Sequence, residues 1–243
     1  PEARASLSVA DFRFIEGRMG TLFANVRWNR QQEQIDIDAT AIDTLNAPKA
    51  DSRFRTTEIK GYVSPKRGYI DLGIRADNTR GEFLQTLCSS FLSHTDLTAS
   101  GDLRLSGDLR RMDLTGARVA DGTARVKALN TRYRLQNDTI RFQVNEIVFR
   151  NDTVYDRNGN IAVVDGSVYH QHLSRMSYNL GIRADHFLGY DWDGSDGSTF
   201  YGTVYGTGRV GIKGRPGEVT IDVNVAPTKG SQVVYDVTSP NDV

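Results

Sequence analysis

The chain has 243 residues, enough for one large β domain or two small ones. Its 30 basic and 30 acidic residues cancel, which argues against nucleic acid or an anionic membrane surface as a partner. Hydrophobic residues make up only 38%, glycines (23) far outnumber prolines (6), and the single cysteine, Cys88, excludes an internal disulfide. That is the composition of strands and turns, and no apolar stretch approaches the ~18–20 residues of a membrane-spanning helix.

The dominant pattern along the chain is alternation of apolar and polar residues, the period of a half-buried strand. Ile35, Ile37, Ala39 and Ala41 alternate with Asp36, Asp38 and Thr40. Ile70, Leu72, Ile74 and Ala76 are set against Asp71, Arg75 and Asp77. From Glu82 to Ser93 the period changes: Phe83, Leu84, Leu87, Cys88, Phe91 and Leu92 recur every three or four residues. One short helix is expected near residues 82–93, its apolar stripe covering the end or opening of the sheet. Alternation then resumes at Leu103 and Leu105, at Ile140, Phe142 and Val144, and at Val219, Ile221, Val223 and Val225. Turn-prone pairs separate these runs: Asp121-Gly122, Asn158-Gly159 and Pro216-Gly217. About a dozen antiparallel strands are expected.

The chain also repeats. Leu72-Gly73-Ile74-Arg75-Ala76-Asp77 recurs letter for letter as Leu180-Gly181-Ile182-Arg183-Ala184-Asp185. The segment 100–107 corresponds loosely to 205–214, and Gly61-Tyr62-Val63 stands where Gly166-Ser167-Val168-Tyr169 does. One continuous sheet built of tandem units is expected: a partial repeat over 1–60, a repeat with the helix over 61–165, and a truncated repeat over 166–243. The chain opens at Pro1 without a methionine or a signal peptide and is read as a piece of a longer protein. Many inward positions are small, including Ala39, Ala41, Gly101, Ala124, Ala128, Gly202 and Gly206. Small inward residues and strand glycines fit a curled sheet that leaves a channel.

Metal, nucleotide and catalytic signatures are incomplete. Asp191 to Ser198 resembles a calcium loop but lacks the glycine and glutamate that an EF-hand requires at positions six and twelve. His170 and His172 would share a strand face without a third ligand at a convincing spacing. Asp185-His186 has no accompanying nucleophile elbow, and 206–211 match the dinucleotide fingerprint only in part, inside an alternating strand. Cys88 reads as a packed small hydrophobe. No enzymatic activity, cofactor or metal is expected.

Four stretches taken in order, 66–72, 97–107, 149–160 and 200–208, resemble the C-terminal region of the TamB family of the AsmA-like superfamily, in its Bacteroidota form. They read Lys-Arg-Gly-Tyr-Ile-Asp-Leu, then a Ser-Gly-Asp-Leu-Arg-Leu-Ser-Gly core. A Phe-Arg-Asn-Asp…Asn-Gly-Asn turn follows, and then Phe-Tyr-Gly-Thr-Val-Tyr-Gly. The resemblance spans about residues 60 to 237. It implies an all-β fold, a curled antiparallel sheet forming a β-taco-like groove with an apolar interior. It implies a periplasmic location in a parent protein anchored in the inner membrane and reaching the outer membrane. The implied function is carriage of phospholipid along that groove, with an outer-membrane β-barrel assembly protein (TamA- or BamA-like) as partner. The alternative is a periplasmic scaffold assisting barrel assembly or secretion; a surface adhesin would use shorter repeats and a filled core. The residues expected to line the wall are Ile70, Leu72, Ile74, Leu103, Leu105, Ile140, Phe142, Leu180, Ile182, Val204, Val210, Ile212, Val219, Ile221 and Val223. The expected partners are phospholipid acyl chains, and edge-to-edge self-association of the segment is expected where sheet edges are exposed.

Overall fold

The computed structural model describes residues 3–14, 17–44, 55–81, 92–172, 174–195 and 198–236. They form one 14-stranded antiparallel sheet, curled and not closed. Its first strands are β1 (Arg4–Phe14), β2 (Gly17–Asn29), β3 (Gln34–Asp43), β4 (Arg55–Ser64) and β5 (Tyr69–Arg80). They continue as β6 (Leu92–Asp108), β7 (Arg111–Val126), β8 (Thr131–Gln143), β9 (Glu146–Tyr155) and β10 (Ile161–Gln171). The last are β11 (Ser174–Trp192), β12 (Phe200–Arg215), β13 (Glu218–Pro227) and the short β14 (Gln232–Tyr235). Strands β1 to β13 lie side by side in chain order, and β14 extends the same edge of β12 that β13 occupies.

The turns carry the residues that tight reversals need. Gly68, at φ 64, closes the Pro65 turn by donating its N–H to the Pro65 carbonyl at 3.2 Å. Asn158-Gly159 and Pro216-Gly217 reverse the chain as expected. Asp121-Gly122 does not: it lies inside β7. Gly122 is needed there because a Cβ would meet the Asp96 carbonyl of β6 at 2.1 Å, so the glycine reports close strand approach rather than a turn. Ala128 likewise falls in a 3₁₀ turn, Lys127–Leu129, and not on a strand. The helix expected over 82–93 and Cys88 lie outside the described residues, except that Leu92 and Ser93 open β6 as strand.

Curvature comes from bulges. At Asn78, Asn137, Asn151 and His186 the backbone turns to φ values of 51, 50, 51 and 47, each at a break in register. At each, the freed N–H is taken by a side chain of the adjoining strand: Ser100 Oγ (2.8 Å), Asp121 Oδ2 (3.3 Å), Asp165 Oδ1 (2.7 Å) and Thr207 Oγ1 (2.8 Å). Each bulge bends its strand without leaving the amide unpaired. The sheet thereby curls far enough for strands three apart to touch, β2 with β5 and β8 with β11.

The bulges also fix the register of the repeat. The two identical hexapeptides occupy β5 and β11 and end one residue before Asn78 and His186. Ile74 pairs with Leu103 and Leu72 with Leu105; in the second copy Ile182 pairs with Val210 and Leu180 with Ile212. On the other side Gly61 faces Leu72 as Gly166 faces Leu180. The three-strand units β4–β6 and β10–β12 therefore share one pairing scheme.

Candidate functional site

Directly paired residues in an antiparallel ladder project from the same face of the sheet. One such line of pairs crosses all thirteen consecutive strands. It runs from Leu7 through Ala24, Ala39, Ile59, Ile74 and Leu103 to Gly116. It continues through Phe142, Ile147, Val168, Tyr178 and Gly214 to Val219. Every member is apolar, aromatic or glycine. Parallel lines beside it hold Leu72 with Leu105, Leu180 with Ile212 and Ile221, and Ile182 with Val210 and Val223. Ile70, opposite Gly107, Ile140, opposite Arg118, and Val204, opposite Tyr190, complete the set. All fifteen residues singled out from the sequence thus stand on one face.

That face is the hollow of the curl. Four of its alanines are almost fully enclosed, with Ala41 1%, Ala76 3%, Ala120 3% and Ala162 0% exposed. Tyr133 and Phe187, from strands three apart, stack across the hollow at 4.8 Å. The Tyr133 hydroxyl donates to the Leu188 carbonyl at 2.9 Å, and burial pushes its pKa up to about 12. The larger wall residues are a different case: Leu72, Ile74, Leu103, Leu105, Ile182 and Val210 are half-buried, and Val219, Ile221 and Val223 on the last strand are exposed. A packed sandwich would enclose these side chains between two sheets; here one sheet leaves them facing an open trough. The opposite face carries cross-strand ion pairs, such as the two-pronged Arg104–Asp71 contact (2.7 and 2.6 Å) and Arg75–Asp102 (2.9 Å). The hydrogen bonds from Arg104, helped by its charge, hold the Asp71 pKa below its ordinary value.

The trough also has polar features that the alternation pattern does not disclose. Arg118 lies on the inner face, paired with Gly101 and Ile140, and burial lowers its pKa. Thr57 and Thr79 hydrogen-bond through their hydroxyls at 2.7 Å. Buried Asp43 receives Arg18 (3.9 Å) and Arg80 (3.6 Å) near one end of the hollow. Between β8 and β9 the ladder pairs Leu135 with Val154 and resumes only at Arg141 and Val148. Asp138 and Asp152 stand in this opening and stitch it. Asp138 accepts the Thr153 and Thr139 amides, and Asp152 accepts that of Arg150. Burial raises the Asp152 pKa to about 6, and the neighbouring Asp138 adds to the shift.

The other sequence candidates are placed apart. His170 is buried in β10, its pKa lowered by burial, whereas His172 stands in the following turn against Asp113 at 3.0 Å, so the two do not share a strand face. His186 Nδ1 lies 2.7 Å from Thr228 Oγ1 and its ring stacks on Tyr205, while Asp185 accepts from Thr207. Segment 206–211 is strand, paired on both sides. Asp191, at the start of the acidic loop, holds Arg157 and Thr203. Among the described residues no group of three His, Cys, Asp or Glu side chains is placed to hold a metal ion.

The fold and the wall together define a class: a single-sheet β protein, curled and unclosed, whose hollow face carries an unbroken apolar line across its thirteen consecutive strands. No family model, curated protein or solved structure matches the chain significantly.

Proposed function

We propose that this chain is a segment of a TamB-like periplasmic protein whose groove carries phospholipid acyl chains between the inner and outer membranes. The observation that carries the reading is the unbroken apolar line from Leu7 to Val219 on the hollow face of a sheet that does not close. Each buried CH₂ gains roughly 0.8 kcal/mol over water, so a 16-carbon chain crossing water bare costs on the order of 10 kcal/mol. A continuous apolar wall removes most of that barrier. The bilayer is equally apolar, so the chain is not trapped, and a shallow open trough suits transit better than a closed pocket.

The experiment is native mass spectrometry of the purified chain and of its Ile182→Asp variant, with circular dichroism to establish folding. Co-purifying phospholipid is expected with the wild type and is expected to fall at least tenfold in the variant. Lipid-free wild-type protein, or equal lipid in a folded variant, would refute the proposal. A second reading, a scaffold that templates outer-membrane barrel strands, is favoured by one feature: among the described residues β13 ends the sheet, with Ile221 and Val223 58% and 66% exposed beside a backbone edge that no described strand pairs. Capture of an extended barrel peptide by lipid-free protein would support it.

A further inference from the structure

Where the connection between β7 and β8 leans onto β11, a cavity of about 160 Å³ is lined by Arg125, Asn130, Arg132, Arg157, Leu188 and Asp191. Three guanidiniums share it with one carboxylate. Arg125 and Arg132 are direct cross-strand partners, a placement in which like charges repel and cost stability. The carboxylate does not relieve them, because Asp191 is already engaged by Arg157 at 2.5 Å and by Thr203 Oγ1 at 2.9 Å. Arg125 donates to the side-chain oxygen of Asn130, an uncharged acceptor. Arg132 has no carboxylate partner among the described residues. The walls are held in place: Asn130, at φ 53, donates through Nδ2 to the Asp191 carbonyl at 2.7 Å, and Tyr133 holds the Leu188 carbonyl from the hollow side.

We propose that this pocket binds a phosphate oxyanion, and that its occupant in the working protein is the phosphodiester of a phospholipid whose acyl chain lies in the groove. A planar guanidinium fork matches two phosphate oxygens, and an oxyanion between Arg125 and Arg132 turns their repulsion into attraction. Leu188 lines the pocket, and its carbonyl is bonded by Tyr133, which stacks on Phe187 of the hollow wall. Register places Arg125 and Arg132 on the outer face, one residue from the rim that Val126 and Thr131 mark, so the tail of a headgroup seated here reaches the apolar wall by passing over that rim. The lipid assignment rests on the conduit reading; the oxyanion site does not.

The test titrates the full chain by calorimetry, at constant chloride, with inorganic phosphate and separately with dihexanoyl phosphatidylglycerol. Both are expected to saturate the wild type and to compete with each other. Arg132→Gln and Arg125→Gln are each expected to weaken phosphate binding roughly tenfold or more, the loss of one charge-assisted contact. Either variant should melt at or above the wild-type temperature in phosphate-free buffer, since a like-charge pair is relieved; that excludes misfolding as the cause. Unchanged phosphate affinity in the Arg125→Gln/Arg132→Gln double variant overturns the site. Phosphate binding that the lipid does not displace overturns the headgroup assignment. Ile182→Asp is expected to keep phosphate affinity while losing acyl chains, so failure of the conduit reading shows in that variant and failure of the pocket in the arginine variants.

Discussion

Asp152→Asn tests the stitched opening between β8 and β9. Asp152 is 3% exposed and its pKa is raised from 3.8 to about 6, by burial first and by Asp138 second. A carboxyl whose folded pKa is raised binds its proton more tightly in the fold than in the unfolded chain, so acid favours the native state. Its contribution is complete below pH 3.8 and is lost as pH rises through about 6. The shift of about two units corresponds to about 3 kcal/mol at 1.36 kcal/mol per unit, shared across the interacting pair. Asparagine imitates the protonated form: its oxygen can still accept the Arg150 amide, and its NH₂ can donate to Asp138. The variant should therefore be more stable than the wild type at pH 8, by up to about 3 kcal/mol, with the gap closing toward pH 4. Urea unfolding followed by fluorescence and by circular dichroism at pH 4, 6 and 8 measures it. A variant destabilised by the same amount at every pH would show that the carboxylate acts through neutral hydrogen bonding alone, and the argument from burial would fail.

Three further substitutions probe the sheet geometry. Gly61→Ala places a methyl 2.0 Å from the Asp71 carbonyl at φ 148, and should cost about 1–3 kcal/mol by chemical denaturation. Ser100→Ala removes the acceptor of the part-buried Asn78 amide and should cost about 1 kcal/mol. Thr207→Ala, at the equivalent but exposed bulge, should cost less because water replaces the lost acceptor.

The alternation of apolar and polar residues carried much of the fold into view. Once the strands pair, residues two apart share a face, which is why Leu72 and Ile74 stand with Leu103 and Leu105, and Leu180 and Ile182 with Val210 and Ile212. Bulges defeat the same rule. The break at Asn137 shifts the parity of β8, so that Tyr133 and Leu135 join Asp138, Ile140 and Phe142 on one face. Asp138 and Asp152 look outward-facing by composition, yet they serve an opened ladder that only the pairing of β8 with β9 reveals. Arg118 in the hollow follows from register and not from its chemistry. The turn expected at Asp121-Gly122 reflects one residue type meeting two needs: a glycine reverses a chain, and it also lets neighbouring strands approach closely. The rim pocket joins Arg125 and Arg132 to Asp191, residues far apart in the chain, through a contact between β11 and the β7–β8 turn that no local pattern encodes.

The kinks at Asn78 and His186 fall at the same place in each copy of the repeated hexapeptide. Each copy thus brings its own bend at a fixed register, in addition to the bulges at Asn137 and Asn151 in the strands between. Adding or deleting a unit would change how far such a gutter reaches while leaving its bore unaltered, so a lineage could match its span to the width of a gap without redesigning the cross-section.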